Sequence, residues 1–282
     1  MKSLRNYVVL LLSFVILGCT TKFLYRNIDW FVMTYIDEYV SLNDEQERLV
    51  EFSIKQLASW HKEYELPKYI AYIDELSAKP LEDIDAKWVK QQSDRMRSFS
   101  RGIGKQAGPS LYALLMQLSD KQVTELLDNV AEKHREYEEK YTTSEESEIR
   151  EIYQERMEDA FERWVGDMTD KQKAQIVDWS QSVEITAQDR IAQNQKMFVE
   201  FETLFAKRED SSYFQATYDR LLNDPESFYT SSLNQKMERN RPLTFQFIAD
   251  LSQGLTDKQY QHLLAELQEW REIAVDLSQV DN

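Results

Sequence analysis

The chain has 282 residues, with 34 Lys and Arg against 50 Asp and Glu, a net charge of -16, one Cys, six Gly and five Pro. One Cys excludes an intramolecular disulfide framework and a Cys-based zinc cluster. So few Gly and Pro argue against a turn-rich β-sandwich or a set of phosphate loops, and the acidic balance argues against general nucleic-acid binding.

Residues 1–18 read as a secretory signal. Lys2 and Arg5 form a positive start, and residues 7–17 form an apolar run broken only by Ser13. That run is too short for a bilayer core, which needs about 20 residues. It ends in Ile16, Leu17, Gly18 and Cys19, which resembles the lipobox of bacterial lipoproteins. The resemblance implies acylation of the Cys19 thiol, cleavage before it, and attachment to the membrane at that point. Thr20 resembles the residue found after the Cys in lipoproteins sorted to the outer membrane. The expected layout is a signal peptide at 1–18, a lipidated N-terminus and tether at 19–28, and a helical periplasmic body at 29–282 with a hinge at 102–109.

After the tether, apolar residues recur at three- and four-residue spacing almost everywhere. Pro67 suits the first turn of a helix over 67–77, and the helix before it is expected to end near that proline. Pro80 precedes a helix beginning near Asp83. Gly102, Gly104, Gly108 and Pro109 mark the hinge. Stripes follow at 119–141 (Val123, Leu126, Leu127, Val130) and at 144–166 (Ile149, Ile152, Met157, Trp164). The span 171–206 has no Gly or Pro and is expected as one long helix. Asp224 and Pro225 open another helix, Pro242 divides the next segment, and 256–278 carries a last stripe. The fold class is all-α, an elongated bundle of about nine to eleven helices.

A short pattern recurs. Leu118, Ser119 and Gln122 match Met168, Thr169 and Gln172, and Leu255, Thr256 and Gln259, with Leu42, Asn43 and Gln46 as a weaker copy. Each reads as a capping box, with the hydroxyl or amide at the N-cap and Gln reaching back from the third helical position. The spacing is irregular, so this is not a solenoid. The pattern resembles the Leu-Thr-x-x-Gln motifs of the Spy and CpxP group of helical periplasmic chaperones. A wider similarity runs through Tyr25, Asp29, Trp30, Asp37, Glu38, Tyr39, Val40, Leu42, Trp60, His61, Glu65, Leu66, Pro67 and Tyr69. It continues through Gln117, Leu118, Ser119, Gln122, Arg163, Trp164, Asn240 and Arg241. Those residues resemble a family of uncharacterised proteobacterial lipoproteins, a domain of unknown function. This implies an envelope location and a helical fold, and it brings no activity or site.

Candidate chemistry is sparse. His61 and Glu65, one helical turn apart, are a weak metal pair that lacks further ligands. His134 lies on an apolar stripe. No Gly-x-Ser-x-Gly, His-Glu-x-x-His or Glu-x-x-His is present, and no cofactor is expected. The most distinctive feature is a basic strip of Lys87, Lys90, Arg95, Arg97, Arg101 and Lys105, opposed only by Asp94. It suits an anionic partner or lipid head groups, or else an internal contact with the acidic segment 132–162. The leading expectation is a non-enzymatic envelope lipoprotein. Its contacts would be the membrane, through acylated Cys19, and an envelope protein or lipid bound by helical surfaces, with a chaperone-like role as one case. A lipid or small-ligand binder using a groove between helices, and an envelope enzyme, are the alternatives.

Overall fold

The computed structural model of the chain describes Tyr25 and residues 27–279. The signal segment 1–18, Cys19 and most of the 19–28 tether lie outside the described residues. Among those described there is no strand, and there are eleven α-helices. They are α1 (Ile28–Asp37), α2 (Asp44–Trp60), α3 (Leu66–Ser77), α4 (Ala86–Gln117), α5 (Asp120–Thr142) and α6 (Glu146–Val165). Then come α7 (Asp170–Ser182), α8 (Ala187–Ala206), α9 (Ser211–Asn223), α10 (Ser231–Gln253) and α11 (Asp257–Gln279). The chain is the all-α bundle that its periodicity predicts. The 32 residues of α4 make a rod of about 48 Å at 1.5 Å per residue. α2, α9 and α10 pack along it, α3 pairs with α11, α5 with α8, and α6 with α7 and α11. The core is divided into separate clusters strung between these pairs.

The four capping motifs meet in two pairs. Gln46 and Gln122 exchange amide hydrogen bonds, Nε2 of each donating to Oε1 of the other at 3.1 and 2.6 Å. Gln172 and Gln259 do the same at 3.0 and 2.8 Å. The second amide proton of each glutamine goes to a carbonyl two residues before its partner's N-cap. Gln46 donates to Gln117 O and Gln122 to Ser41 O, while Gln172 donates to Gly254 O and Gln259 to Asp167 O. Each Oε1 also accepts the N–H of its own N-cap residue, Asn43, Ser119, Thr169 or Thr256, at 2.9–3.0 Å. One side chain therefore closes its own helix and binds a second helix end. Gln46, Gln172 and Gln259 are buried, and the network leaves none of their polar atoms unpaired, as burial demands.

Several sequence expectations are corrected. The segment 102–109 is helical throughout, inside α4. Its small residues let neighbours approach. A Cβ on Gly108 would stand 2.6 Å from Leu222 Cδ2 of α9, and the Tyr218 hydroxyl donates to Gly108 O at 2.6 Å. Pro242 likewise lies within α10. The helix before Pro67 continues through a π-turn, His61–Glu65, in which Leu66 N–H donates to His61 O. Proline has no N–H and its ring crowds the carbonyl four residues back, so one extra residue in the turn moves the chain past it. The segments at Leu81–Asp83 and Pro225–Phe228 are single 3-10 turns; α4 starts after the first at Ala86 with Asp85 as its cap, and α10 after the second at Ser231 with Thr230 as its cap.

The long helix expected over 171–206 is broken at 183–186 into α7 and α8. No Gly or Pro does this. Side chains from elsewhere take over the backbone's hydrogen bonds instead. Asn240 accepts from Glu184 N at 2.8 Å and donates to Glu184 O at 2.7 Å. Arg150 donates to Ser180 O and Val183 O, Tyr153 accepts from Thr186 N, and Lys236 donates to Ile185 O at 3.0 Å. Lys236 also pairs with buried Asp189 at 2.6 Å, and Ser232 donates to the same carboxylate. Ser232, Lys236 and Asn240 lie one turn apart on α10, so one face of that helix, with Arg150 and Tyr153 of α6, holds the connection.

Gln172→Ala leaves several buried groups unpaired, at about 1–3 kcal/mol each, and is expected to cost about 2–4 kcal/mol of stability. The double variant with Gln259→Ala should cost less than the two single changes together, with a coupling of about 1 kcal/mol or more. Urea unfolding of the four proteins measures this, and simple additivity would contradict the pairing.

Burial works to raise the Asp189 pKa, but hydrogen bonds from Lys236 and Ser232 hold the carboxyl below the ordinary carboxylate range. Its contribution to stability is present above the unfolded value of about 3.9 and is lost as pH falls through the lower folded value. Asp189→Asn should therefore flatten the acid limb of the stability–pH curve below about pH 4. An unchanged limb would refute the assignment.

Candidate functional site

A large apolar space lies between α1, α2 and α4. α2 and α4 run antiparallel, since Gln46 meets Gln117 at one end and Glu65 approaches Gly102 at the other. α2 presents Leu49, Val50, Ser53, Ile54 and Leu57, and the π-turn after it adds His61, on one face at three- and four-residue spacing. α4 presents Ile103, Gln106, Ala107, Ser110, Leu111 and Leu114, and α1 closes the side with Ile28, Val32 and Ile36. The short residues Ala107 and Ser110 leave room between larger neighbours. The cavity holds about 450 Å³, and no Asp, Glu, Lys or Arg lines it. It reaches solvent at Ile28 and Leu111, which are 37% and 44% exposed.

One end is polar. The Tyr25 hydroxyl lies 3.2 Å from His61 Nδ1 and donates to Ala58 O at 3.4 Å. His61 packs edge-on against Tyr69, which packs on Phe99, and Arg95 caps the cluster over Tyr72. Burial pushes the His61 pKa below its ordinary value, outweighing the nearby Glu65 charge. Burial likewise pushes the Tyr69 hydroxyl up to about 12. Both groups are thus neutral at pH 7, so this end offers hydrogen bonds without charge. The arrangement suits a ligand with a long apolar part and an uncharged polar part.

A second apolar cavity of about 310 Å³ lies on the other flank of α4, walled by Leu115, Leu126, Leu127, Phe201 and Leu222 among others. It too has no charged lining residue, and Leu111 borders both spaces.

The structure distributes the sequence candidates as follows. Glu65 is buried and paired with Lys68 at 2.6 Å, while the hydrogen-bonding partner of His61 is Tyr25. No group of three or more His, Cys, Asp or Glu able to hold a metal comes together among the described residues. His134 is half-buried beside Phe198, and burial lowers its pKa. The basic strip is divided. Lys90 pairs with Asp94 at 2.6 Å, Arg95 pairs with Glu75, and Arg97 lies 3.4 Å from Glu226. Its carboxylates thus come from α3, from α4 itself and from the turn Pro225–Phe228, in place of the acidic segment 132–162. Lys87, Arg101 and Lys105 are exposed. Ile103, Ala107, Ser110 and Leu114 line the groove, and at 100° per residue Arg101 and Lys105 fall on the far side of α4 from them. The strip and the groove do not form one site. Cys19 lies outside the described residues.

Sequence reasoning offered a groove between helices as an alternative without saying which helices form it, and quoted Tyr25 only within a family resemblance, without a role. The usable signal was the pairing of small with large apolar residues along 103–114, opposite the stripe at 49–61, beside an α1 that is apolar on most of its circumference.

Fold and site define an all-helical protein with an uncharged groove beside α1, the first helix among the described residues. The chain belongs to the DUF6279 family, a family of unknown function whose sequence profile matches residues 38–234. That span includes α2 and α4, the two long walls of the groove. No curated protein and no solved structure matches the chain.

The His61 imidazole should titrate with a midpoint below about 6.5, read from its ring resonances by NMR. Because the folded value is depressed, the neutral ring's contribution is lost as pH falls through that range, and the Tyr25 end of the groove should loosen. A midpoint at or above 6.5 would contradict the burial argument.

Proposed function

We propose that this is a lipid-anchored protein of the bacterial envelope, tethered through acylated Cys19 at the outer membrane with its helical body in the periplasm, and that it binds an apolar ligand in the groove without catalysis. One observation carries the binding role: a space of about 450 Å³ with no charged lining residue. That size falls within the roughly 300–1,000 Å³ typical of ligand pockets, which are mostly apolar with a few placed polar groups. The anchor rests on the residues 16–19 and on Lys2 and Arg5 before them. No described helix is long and apolar enough to cross a membrane, so membrane attachment in this reading falls to the lipid. The absence of catalysis is supported by the lining itself, which offers one histidine and no carboxylate.

A second reading, docking of an envelope protein on a helical surface, is favoured by the outward face of α1. Trp30 and Tyr35 there are 60% and 61% exposed. A chaperone-like role is a form of this second reading. The recurring glutamines lend it no weight, because their side chains are occupied in the helix junctions.

Native mass spectrometry of a secreted Cys19→Ser form should show an apolar adduct or take up an uncharged fluorescent acyl probe one to one. Ala107→Trp, which fills the groove, should weaken the probe at least about tenfold, or about 1.4 kcal/mol. A clean spectrum together with no probe binding would sink the groove reading. Suppression of client aggregation that is lost in Trp30→Ala/Tyr35→Ala would support the second.

A further inference from the structure

The groove has a length, a charge character and an entrance, and together they select an occupant. α2 and the start of the π-turn line it from Leu49 to His61, a run of about 18 Å at 1.5 Å per residue. An acyl chain spans half of the roughly 30 Å hydrocarbon core of a bilayer, or about 15 Å, so one chain fits end to end. The lining carries no charge. A free fatty acid or a phospholipid would bring an anionic head with no cation in the lining to meet it. Arg101 and Lys105, the exposed cations of α4 level with the groove, lie on its other side. An acyl group joined to Cys19 brings no charge. The neutral polar end at Tyr25 and His61 could hydrogen-bond its carbonyl.

The entrance decides the source. Tyr25 lines the polar end, and Cys19 precedes it by six residues. An extended chain covers at most about 3.3–3.6 Å per residue, so Cys19 stays within about 20 Å of Tyr25. Any chain attached to Cys19 is held near this end at high effective concentration.

We propose that the groove between α1, α2 and α4 holds an acyl chain carried on Cys19 of the same molecule, which enters past Tyr25 and His61. This rests on the lipid-anchor and groove-binding reading above and adds the first occupant of the site. The consequence is regulatory. Away from a membrane the body shields its own lipid, and insertion of that lipid into a bilayer empties the groove for an outside apolar ligand.

The test uses the full lipidated protein. Cells are fed a fatty acid that carries a photoreactive diazirine on its chain, and the protein is purified, irradiated and digested. The expected product joins the acylated Cys19 peptide to a peptide of α2 or α4 containing Ile54 or Ala107. Its yield should fall at least fivefold in Ala107→Trp and in Ser110→Phe, two fillings of the same wall. The wild-type cross-link map decides the matter even if either variant folds poorly. Phospholipid adducts on the groove peptides, in place of Cys19 cross-links, would overturn self-occupancy and leave the groove as a lipid site. No groove cross-link of either kind would also overturn it. If the uncharged probe then failed to bind the Cys19→Ser form, the groove-binding reading itself would fall.

Discussion

A side-chain carboxamide donates two hydrogen bonds and accepts two, and this bundle depends on four of them. Helix N-termini carry partial positive charge and free amide groups, so bringing two together is unfavourable unless something neutral and doubly functional sits between them. Gln46 with Gln122 and Gln172 with Gln259 are that bridge. An aspartate at the first helical position of all four helices, Asp44, Asp120, Asp170 and Asp257, further offsets the meeting of like dipoles. The junctions set where α2 meets the α4–α5 corner and where α11 meets the α6–α7 corner. The pairing of α3 with α11, and of α10 with both α4 and α7, is built between these two fixed points.

α4 turns that frame into a site. One flank of it is crossed by α9, close enough that Gly108 has no room for a side chain. Arg95 and Arg97, about 200° apart around the helix, tie it to Glu75 on one side and Glu226 on the other. The side lined by Ile103, Ala107, Ser110 and Leu114 is left open toward α1 and α2. The exposed cations Arg101 and Lys105 are kept from that side by the rotation of a single helix. The uncharged groove and the basic strip therefore serve different contacts, although both come from the same short stretch of sequence.

Helix class, most helix positions and all four caps were legible because they are local. Period, capping chemistry and dipole complementarity act within a few residues. The errors lie where distant side chains override the local signal. The segment 183–186 has no breaker of its own and is unwound by Asn240, Arg150 and Lys236. The segment 102–109 has four nominal breakers and stays helical because Tyr218 and Leu222 pack into the space the glycines leave. Pro67 is absorbed by one π-turn. The capping motifs were visible as caps, but their pairing was not, since nothing local says which buried amide meets which. The groove was illegible for the same reason: it is a gap between three helices, and a gap has no residues of its own. Its neutral end depends on Tyr25 reaching a histidine 36 positions away.

The two junctions use the same chemistry, which raises a question of addressing. Gln46 placed against Gln259 would find the same donors, the same acceptors and the same carbonyl two residues before the cap. The amides lock a junction, but they do not choose it. The choice falls to the flanks. At one junction Arg208 reaches Leu118 O and Asp120, Ser41 bonds Glu125, and Asn129 holds Tyr39 O. At the other, Lys258 meets Asp167. A folding chain with four interchangeable locks depends on these peripheral contacts to avoid closing on the wrong partner. Mutations on the flanks would then be felt less in the stability of the finished bundle than in how often the chain arrives at it.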